Sequence, residues 1–257
     1  VLVDAGHLGQ AGVHRQTQAI YRLFAELKNR HTGLEIESCA SGGARIDLGV
    51  IDLVDRFWTS DNNDALERQQ IQRYTQIAIP PEMLGSHIGP TESHTTGRVH
   101  NLGFRAITAL FGHAGLEWDI TQTSPEEREL LTSWVSYYKA KRDLVHSGQM
   151  VRVETANDSS LVHGVVSQDG TAALFAYATT AGQGPSRPNA LRLEGLNPAT
   201  SYRVKAVFPV GKPVFQERTS PAWLDGVTMT GTALSQIGLR PPILFPENAL
   251  LIEIEAL

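Results

Sequence analysis

The sequence predicts an α/β region over residues 1–147, followed by an antiparallel β-sandwich domain over residues 148–257. In the first region, segments with helical periodicity alternate with short apolar runs, which is typical of parallel βα units. In the second region, short runs of alternating apolar and polar residues are separated by turn dipeptides, which is typical of an antiparallel sandwich. The boundary is expected near residues 146–150, where a polar helix end and a glycine precede the first alternating run.

Four predicted βα units make up the first region. The predicted strands are 34–39, 55–60, 83–88 and 116–120, and the predicted helices are 13–30, 64–78, 98–114 and 124–144. One face of the first helix carries apolar residues at i, i+3, i+4 and i+7, which are Ile20, Leu23, Phe24 and Leu27. The last helix begins with a capping-box pattern, Ser124 followed by Glu127. Four units are compatible with a small open sheet or with half of a (β/α)8 barrel, whose complete form takes about 250 residues.

The second region contains six alternating runs, at residues 150–156, 161–180, 190–196, 201–208, 226–231 and 249–257. Asp169 and Gly170 interrupt the second of these runs, and an Asp-Gly pair between alternating segments is a strong hairpin signal. We therefore expect a hairpin with its corner at Asp169–Gly170.

Composition excludes several classes of partner. The 257 residues carry a formal net charge of −5 and contain one cysteine, Cys39. Nucleic acids and anionic membranes are not expected partners, because their phosphates are met by clustered Lys and Arg. No apolar run reaches the 18 residues of a membrane span.

A reducing compartment fits the single cysteine, so we expect a cytoplasmic location. The strand-like start at Val1, without Met, indicates a piece of a longer protein.

Asp61 is the first candidate for chemistry, because it follows a predicted apolar strand and reactive groups collect at the carboxyl ends of parallel strands. Trp58 precedes it and could stack on a ligand. The alternative is that Asp61 merely caps the next helix. Asp64 stands closer to that helix and is the better cap.

The stretch "CASGGAR" (39–45) is the second candidate, because Gly42 and Gly43 let the backbone approach a ligand closely. A phosphate loop is one possible interpretation, but the G-x-x-x-x-G-K-[ST] pattern is absent. Cys39 as a nucleophile would need a nearby histidine or a helix N-terminus to lower its pKa. A buried thiol without a chemical role is the alternative.

Histidines and carboxylates follow the later strands. His87, His94 and His100, with Glu92, suggest a metal cluster, although their spacing matches no zinc signature and loop hydrogen bonding is the alternative. Glu117 and Asp119 would share one face of strand 116–120. That pair is compatible with acid/base chemistry or with a structural ion pair to Arg45 or Arg98.

Four stretches in order, "ESCASGGARIDLGV", "FWTSDNNDALERQQIQ", "GSHIGPTESHTTGR" and "FRAITALFGHAGLEWDI", resemble the second half of the catalytic barrel of glycoside hydrolase family 36 α-galactosidases. The resemblance runs from Val1 to about Leu144. It implies the carboxyl-terminal half of a (β/α)8 TIM barrel, strands 5 to 8, followed by an antiparallel β-sandwich domain. The match of the second region is weaker and depends mainly on its position.

The resemblance also implies an activity, the retaining hydrolysis of terminal α-D-galactosyl residues in α-galactosides and galacto-oligosaccharides. Asp61 matches the acid/base of the family. The nucleophile motif K-W-D-x-N is absent and is expected upstream of Val1, so the isolated chain is expected to be inactive. Cys39, Gly42 and Gly43 match a galactose-contacting loop, and Trp58 matches the sugar-binding wall.

Arg45, His87 and Glu117 are expected to support the site. No cofactor and no metal is implied, and the full-length protein is expected to be a homo-oligomer. Related α-N-acetylgalactosaminidases and raffinose-type galactosyltransferases are alternative activities. A protein that binds carbohydrate without catalysis, or that is a structural remnant, is the alternative from another class.

Overall fold

The computed structural model describes residues 12–155, 158–182 and 188–257. The strand end predicted at the start of the chain lies outside these residues. The chain forms two compact units, Val1–Asp61 and Asn62–Leu257. No helix in the described part of the chain is long and apolar enough to cross a membrane.

The described part of the first unit, residues 12–61, contains one helix and a pair of parallel strands. They are α1 (Gly12–Arg30), β1 (Glu37–Ser38) and β2 (Arg56–Trp58), with a 3-10 turn at Ile51–Leu53 between the strands. Asp55 joins these elements, because its carboxylate accepts hydrogen bonds from the Ile36 N–H at 2.7 Å and from Lys28 Nζ at 3.0 Å. The helix predicted at 13–30 is confirmed, whereas both strands are shorter than predicted.

The second unit begins with two further βα units. They are α2 (Ala65–Thr75), β3 (Leu84–Ile88), α3 (Leu102–Ala109), β4 (His113–Leu116) and α4 (Pro125–Ser147), and β3 pairs with β4 in parallel. Ser124 caps α4 by accepting from the Glu127 N–H at 3.1 Å, as the capping-box pattern predicts.

Two elements in this region have other bounds than predicted, and α3 also ends at Ala109, not at residue 114. Helix α3 begins at Leu102 and not at residue 98, because Asn101 caps it by accepting from the Phe104 N–H at 2.8 Å. Strand β4 ends at Leu116, so Glu117 and Asp119 do not lie on one strand face. Asp119 instead caps a short 3-10 turn, with its carboxylate accepting from the Thr121 N–H at 3.0 Å.

The rest of the second unit is built around one antiparallel sheet of six strands in the order β5-β6-β7-β10-β8-β9. The strands are β5 (Gln149–Val153), β6 (Ser160–Val166), β7 (Ala172–Thr179), β8 (Ser201–Val207), β9 (Val227–Thr230) and β10 (Asn248–Ala256), and α5 (Gly231–Gln236) follows β9. The run 190–196 forms no strand; it is limited to an isolated bridge between Leu191 and Leu239.

The predicted hairpin joins β6 to β7. Asp169 holds its turn, because the carboxylate accepts hydrogen bonds from Ser167 Oγ at 2.6 Å and from the Thr171 N–H at 3.0 Å. These bonds lower the pKa of Asp169 to about 2. The corner at Asp169–Gly170 is therefore confirmed.

The two faces of the sheet pack into different cores, as the two-residue period of strands requires. One face packs against the loops and turns of residues 191–244; its buried members include Phe175, Tyr177 and Ile252. The other face packs against α3 and α4; its members include Leu174 and Leu251. Trp134 of α4 lies fully buried in this second core and donates to the Ala106 carbonyl at 3.1 Å. Within the second unit, helices α3 and α4 and the six-stranded sheet therefore share a core.

Candidate active site

The loop after β1, which begins with Cys39, brings Gly42 and Gly43 against the segment after β2. A Cβ on Gly42 would lie 2.7 Å from Ser60 Cα and from the Asp61 backbone nitrogen, and one on Gly43 would lie 2.4 Å from the Thr59 carbonyl oxygen. Only residues without a side chain permit this approach. Within the first unit, the glycine loop therefore lies directly against the backbone of Asp61.

The loop is held by its own hydrogen bonds. The Ala40 N–H donates to the Gly42 carbonyl at 3.1 Å, and Ser38 Oγ donates to the Arg45 carbonyl at 3.2 Å.

Two other candidate residues of this loop are Cys39 and Arg45. The Cys39 side chain is exposed, so the alternative of a buried thiol is wrong. Arg45 lies near Asp47, whose pKa is lowered mainly by a hydrogen bond from Tyr21, with backbone bonds and the charge of Arg45 adding to the effect.

Asp61 and Trp58 differ in exposure. Asp61 lies three residues beyond the last residue of β2, and its side chain is exposed. Trp58, the last residue of β2, is buried, with 8% of its surface accessible. Asp61 is thus at the carboxyl end of a parallel strand and does not cap α2.

Asp64 is the cap of α2, as predicted. Its Oδ1 accepts from the Leu66 N–H at 2.8 Å and from the Glu67 N–H at 3.2 Å, and its side chain is fully buried. Its Oδ2 accepts from Thr96 Oγ1 and from Arg98 Nη1, the latter at 3.1 Å. Burial alone raises the pKa of Asp64, but the hydrogen bonds outweigh burial and lower it below its ordinary value.

The loop over residues 91–100 also fixes the two asparagines before Asp64. Asn62 Oδ1 accepts from Thr95 Oγ1 at 2.7 Å and from the Asp64 N–H at 3.0 Å. Ser93 Oγ lies 3.5 Å from Asn63 Oδ1. The polar residues 62–64 therefore have structural partners in this loop.

Thr96 and Arg98 were not singled out from the sequence for this contact. Arg98 was considered as a partner of Glu117 or Asp119, but it pairs with Asp64 and with Glu67 Oε1, at 2.7 Å. The signal available in the sequence was the T-G-R triplet, which gives no indication of which carboxylate it meets.

His87 and Glu117 lie together at the carboxyl ends of β3 and β4. His87 Nδ1 is 3.5 Å from Glu117 Oε2, and both side chains are partly exposed. The Glu117 N–H donates to the Ile88 carbonyl at 3.0 Å, which places Glu117 directly after the paired strands.

The histidines do not assemble as a metal cluster. Within residues 12–155, 158–182 and 188–257, no group of three or more His, Cys, Asp or Glu side chains could hold a metal ion. His100 is instead buried beside Asp64 and Glu247, and His94 is exposed.

Known families match both regions of the chain. The melibiase family model matches residues 4–148, more than half of the sequence. The chain belongs to the melibiase family. The model of the glycosyl hydrolase family 36 C-terminal domain matches residues 161–244 of this melibiase chain. The resemblance to family 36 is therefore confirmed.

Curated relatives extend the match over nearly the whole melibiase chain. The alpha-galactosidase of Escherichia coli is 42% identical over 260 residues, which cover 99% of this chain and 37% of that protein. The alpha-galactosidase AgaA of Geobacillus stearothermophilus is 32% identical over 76% of this chain and 27% of its own length. The chain therefore spans 37% or less of the length of these relatives.

Solved structures agree in fold. The alpha-galactosidase of Lactobacillus brevis superposes with a TM-score of 0.82 at 28% identity, covering 95% of this chain and 32% of that one. A variant of AgaA in complex with 1-deoxygalactonojirimycin gives the same values. The melibiase chain therefore has the fold of the carboxyl-terminal half of a (β/α)8 barrel followed by an antiparallel β-domain.

Proposed function

We propose that the complete enzyme containing this chain removes terminal α-D-galactosyl residues from α-galactosides and galacto-oligosaccharides, with retention of configuration. The observation that carries the proposal is the contact of the Gly42–Gly43 loop with the backbone of the exposed Asp61. This contact places the loop that resembles a galactose-binding loop next to Asp61, the residue that matches the acid/base of the family. The relatives named alpha-galactosidase support the same activity.

Asp61 is the general acid/base in this proposal. A retaining mechanism needs two carboxyl groups about 5 to 5.5 Å apart. A nucleophilic aspartate from a segment outside residues 1–257 attacks the anomeric carbon while Asp61 protonates the departing glycosidic oxygen. In the second step, the Asp61 carboxylate takes a proton from water, whose oxygen attacks the anomeric carbon and releases galactose.

The proposed sugar-binding residues are Cys39, Gly42, Gly43 and Trp58. The exposed thiol of Cys39 and the loop backbone are available to the hydroxyl groups of galactose. Arg45 would support this loop, and the partly exposed pair His87 and Glu117 would support the site from the ends of β3 and β4.

The substrate class is an α-galactosyl oligosaccharide. AgaA variants have been solved in complex with raffinose and with stachyose, at 27% and 28% identity to this chain. Recognition of such neutral sugars fits the net charge of −5, which provides no cationic surface for polyanions.

Asp61→Asn in the complete enzyme tests the assignment. The variant should lose raffinose hydrolysis by about 10²-fold or more, because a poor leaving group needs the proton. It should keep most of the first step on 2,4-dinitrophenyl α-galactoside, whose leaving group needs none. Added azide should then be captured as α-galactosyl azide, since no carboxylate remains to activate water.

Asp52→Asn is the matched control, because Asp52 is also exposed and lies in the same unit. It should leave both substrates unaffected. An equal loss on both substrates in Asp61→Asn, without an azide product, would reject the acid/base role. Transfer of galactose to a sugar acceptor, or a preference for N-acetylgalactosamine, would indicate one of the related activities.

We also propose that the domain boundary lies at residues 147/148 and that the complete enzyme is a cytoplasmic homo-oligomer. The end of α4 at Ser147 and the start of β5 at Gln149 support the boundary. The single cysteine supports a reducing compartment. Cell fractionation and light scattering of the complete enzyme test the location and the assembly.

A further inference from the structure

His100 is buried between two carboxylates contributed by distant parts of the second unit. Its side chain is 2% exposed; Nε2 lies 3.3 Å from Glu247 Oε2 and 3.9 Å from Asp64 Oδ1. Among the described residues, Nε2 has no hydrogen-bond partner of good geometry. A buried nitrogen without a partner destabilises the folded state, so this arrangement needs a compensating reason.

The backbone around His100 leaves the ring little freedom. The His100 N–H donates to the Thr91 carbonyl at 3.0 Å, and its carbonyl accepts from Arg105 Nε at 3.2 Å. Asn101, the next residue, caps α3. The His100 ring also packs 5.5 Å from the ring of Phe104. His100 is therefore held with Nε2 toward the two carboxylates.

Glu247 reaches His100 from the start of β10 in an unfavourable backbone conformation. Its φ of 58° lies in the left-handed region, which non-glycine residues rarely adopt. The Glu247 N–H donates to the Thr179 carbonyl at 2.7 Å, and its carbonyl accepts from Asn101 Nδ2 at 3.2 Å. Strained residues of this kind persist where the surrounding contacts fix them and often lie at functional sites.

Asp64 connects this junction to the proposed acid/base. Asp64 caps α2, and the two asparagines before it continue directly from Asp61 in the chain. Other charged groups around this junction include Arg98, which binds Asp64, and Glu67, whose carboxylate binds Arg98. Arg105 binds the His100 carbonyl, and Arg68 binds the Asn62 carbonyl. Nε2 of His100 therefore faces the carboxylates of both Asp64 and Glu247.

We propose that His100 and Glu247 are positioning residues for the acid/base step: Glu247 of the β-domain holds His100, and His100 steadies Asp64 and the short segment that carries Asp61. This inference rests on the proposed function, because it concerns the proton transfer assigned to Asp61. It makes the carboxyl-terminal β-domain a contributor to catalysis through the start of β10.

Glu247→Gln in the complete enzyme tests the inference with two substrates. Raffinose hydrolysis should fall about tenfold, because small displacements of a catalytic group are costly. Hydrolysis of 2,4-dinitrophenyl α-galactoside should change less than about twofold, because its first step needs no proton. The ratio of the raffinose rate to the 2,4-dinitrophenyl α-galactoside rate on one sample does not depend on the fraction of folded enzyme. If Glu247 only stabilised the fold, Glu247→Gln would therefore leave this ratio unchanged.

Glu255→Gln is the matched control, because Glu255 lies on β10, which Glu247 directly precedes, and is also ion-paired, to Lys141 at 3.3 Å. It should leave the ratio at the wild-type value. A glycine at position 247 adopts the left-handed conformation without strain. Glu247→Gly should therefore lower the ratio of the raffinose rate to the aryl galactoside rate as Glu247→Gln does. His100→Gln should give the same shift, and combining it with Glu247→Gln should add little.

The two proposals fail in different ways. An active wild-type enzyme whose ratio is unchanged in Glu247→Gln, Glu247→Gly and His100→Gln would overturn the positioning role and leave the proposed function intact. A wild-type enzyme without activity on either substrate would overturn both.

Discussion

At the scale of single residues, Gly42 combines a backbone conformation and a contact that exclude any side chain. Its φ is 66°, and a Cβ would lie 2.7 Å from two backbone atoms of the segment 60–61. Gly33 shares the conformation, with φ of 84°, but a Cβ there would meet nothing within 4 Å. The two glycines therefore separate the effect of backbone conformation from the effect of close approach.

Gly42→Ala should destabilise the complete enzyme by more than Gly33→Ala does. Gly33→Ala should cost about 1 kcal/mol, because of the left-handed backbone alone. Gly42→Ala should cost about 2–4 kcal/mol and lower kcat/KM at least tenfold, because the loop must move away from Asp61. Urea unfolding and galactoside kinetics measure both quantities. Equal losses in the two variants would contradict the close approach.

The residues of the site differ in how far the sequence could predict them. Asp61 and Asp64 lie on the strand-to-helix connection, where local rules for strand ends and caps separate their roles. Thr96, Arg98 and Glu247 reach the same region from 32 to 183 residues away in the chain. No local pattern encodes such contacts, so only the folded chain reveals them.

At the scale of elements, the cap of α2 differs from that of α4. Asp64 is fully buried and also binds Thr96 and Arg98. Ser124 is exposed, and its hydroxyl contacts the Glu127 N–H and Glu126, both on its own helix. Asp64 therefore links the N-terminus of α2 to the loop over residues 91–100 by hydrogen bonds, whereas Ser124 stabilises only the N-terminus of α4.

Asp64→Ala should cost more stability than Ser124→Ala. Loss of the exposed cap should cost about 1 kcal/mol. Loss of Asp64 should cost about 2–4 kcal/mol, because the Thr96 hydroxyl loses a buried acceptor and the Arg98 guanidinium loses one of its two carboxylate partners. Chemical denaturation of the complete enzyme measures both. Similar losses would mean that the contacts to the loop contribute nothing.

The predicted elements were most accurate where local signals were strong. Helices α1 and α4 were found from periodicity and from the Ser124 cap, and the Asp169–Gly170 hairpin from its turn residues. Strand β4 was predicted three residues too late, because the alternation in "LEWDI" resembles a strand although Asp119 forms a turn. Side-chain hydrogen bonding to the backbone outweighed β-propensity there.

At the scale of the whole molecule, His163 makes stability depend on pH. It lies on β6, with its ring 4.7 Å from Phe111 in an edge-on contact. Burial, with smaller contributions from the charges of Arg73 and Arg152, lowers the pKa of His163 to about 4. In the unfolded chain the pKa of a histidine is near 6.5. Between about pH 6.5 and pH 4, His163 is therefore protonated in the unfolded chain and neutral in the folded chain.

The free energy of unfolding should therefore fall as pH decreases from about 6.5 to about 4, with a contribution of His163 on the order of 2–3 kcal/mol. His163→Gln should flatten this part of the profile, because the variant cannot titrate. His14→Gln, at an exposed position, should leave the profile unchanged. Thermal unfolding across this pH range provides the measurement, and an unchanged slope in His163→Gln would contradict the assignment.

The core shared by α3, α4 and one face of the six-stranded sheet has a consequence for engineering. Leu174 and Leu251 of the sheet and Trp134 of α4 belong to one buried cluster. A chimera that joins the barrel of one family member to the β-domain of another at residues 147/148 would bring together surfaces that evolved apart. Such chimeras should fold only when the contacting residues of α3, α4, β7 and β10 are taken from the same parent.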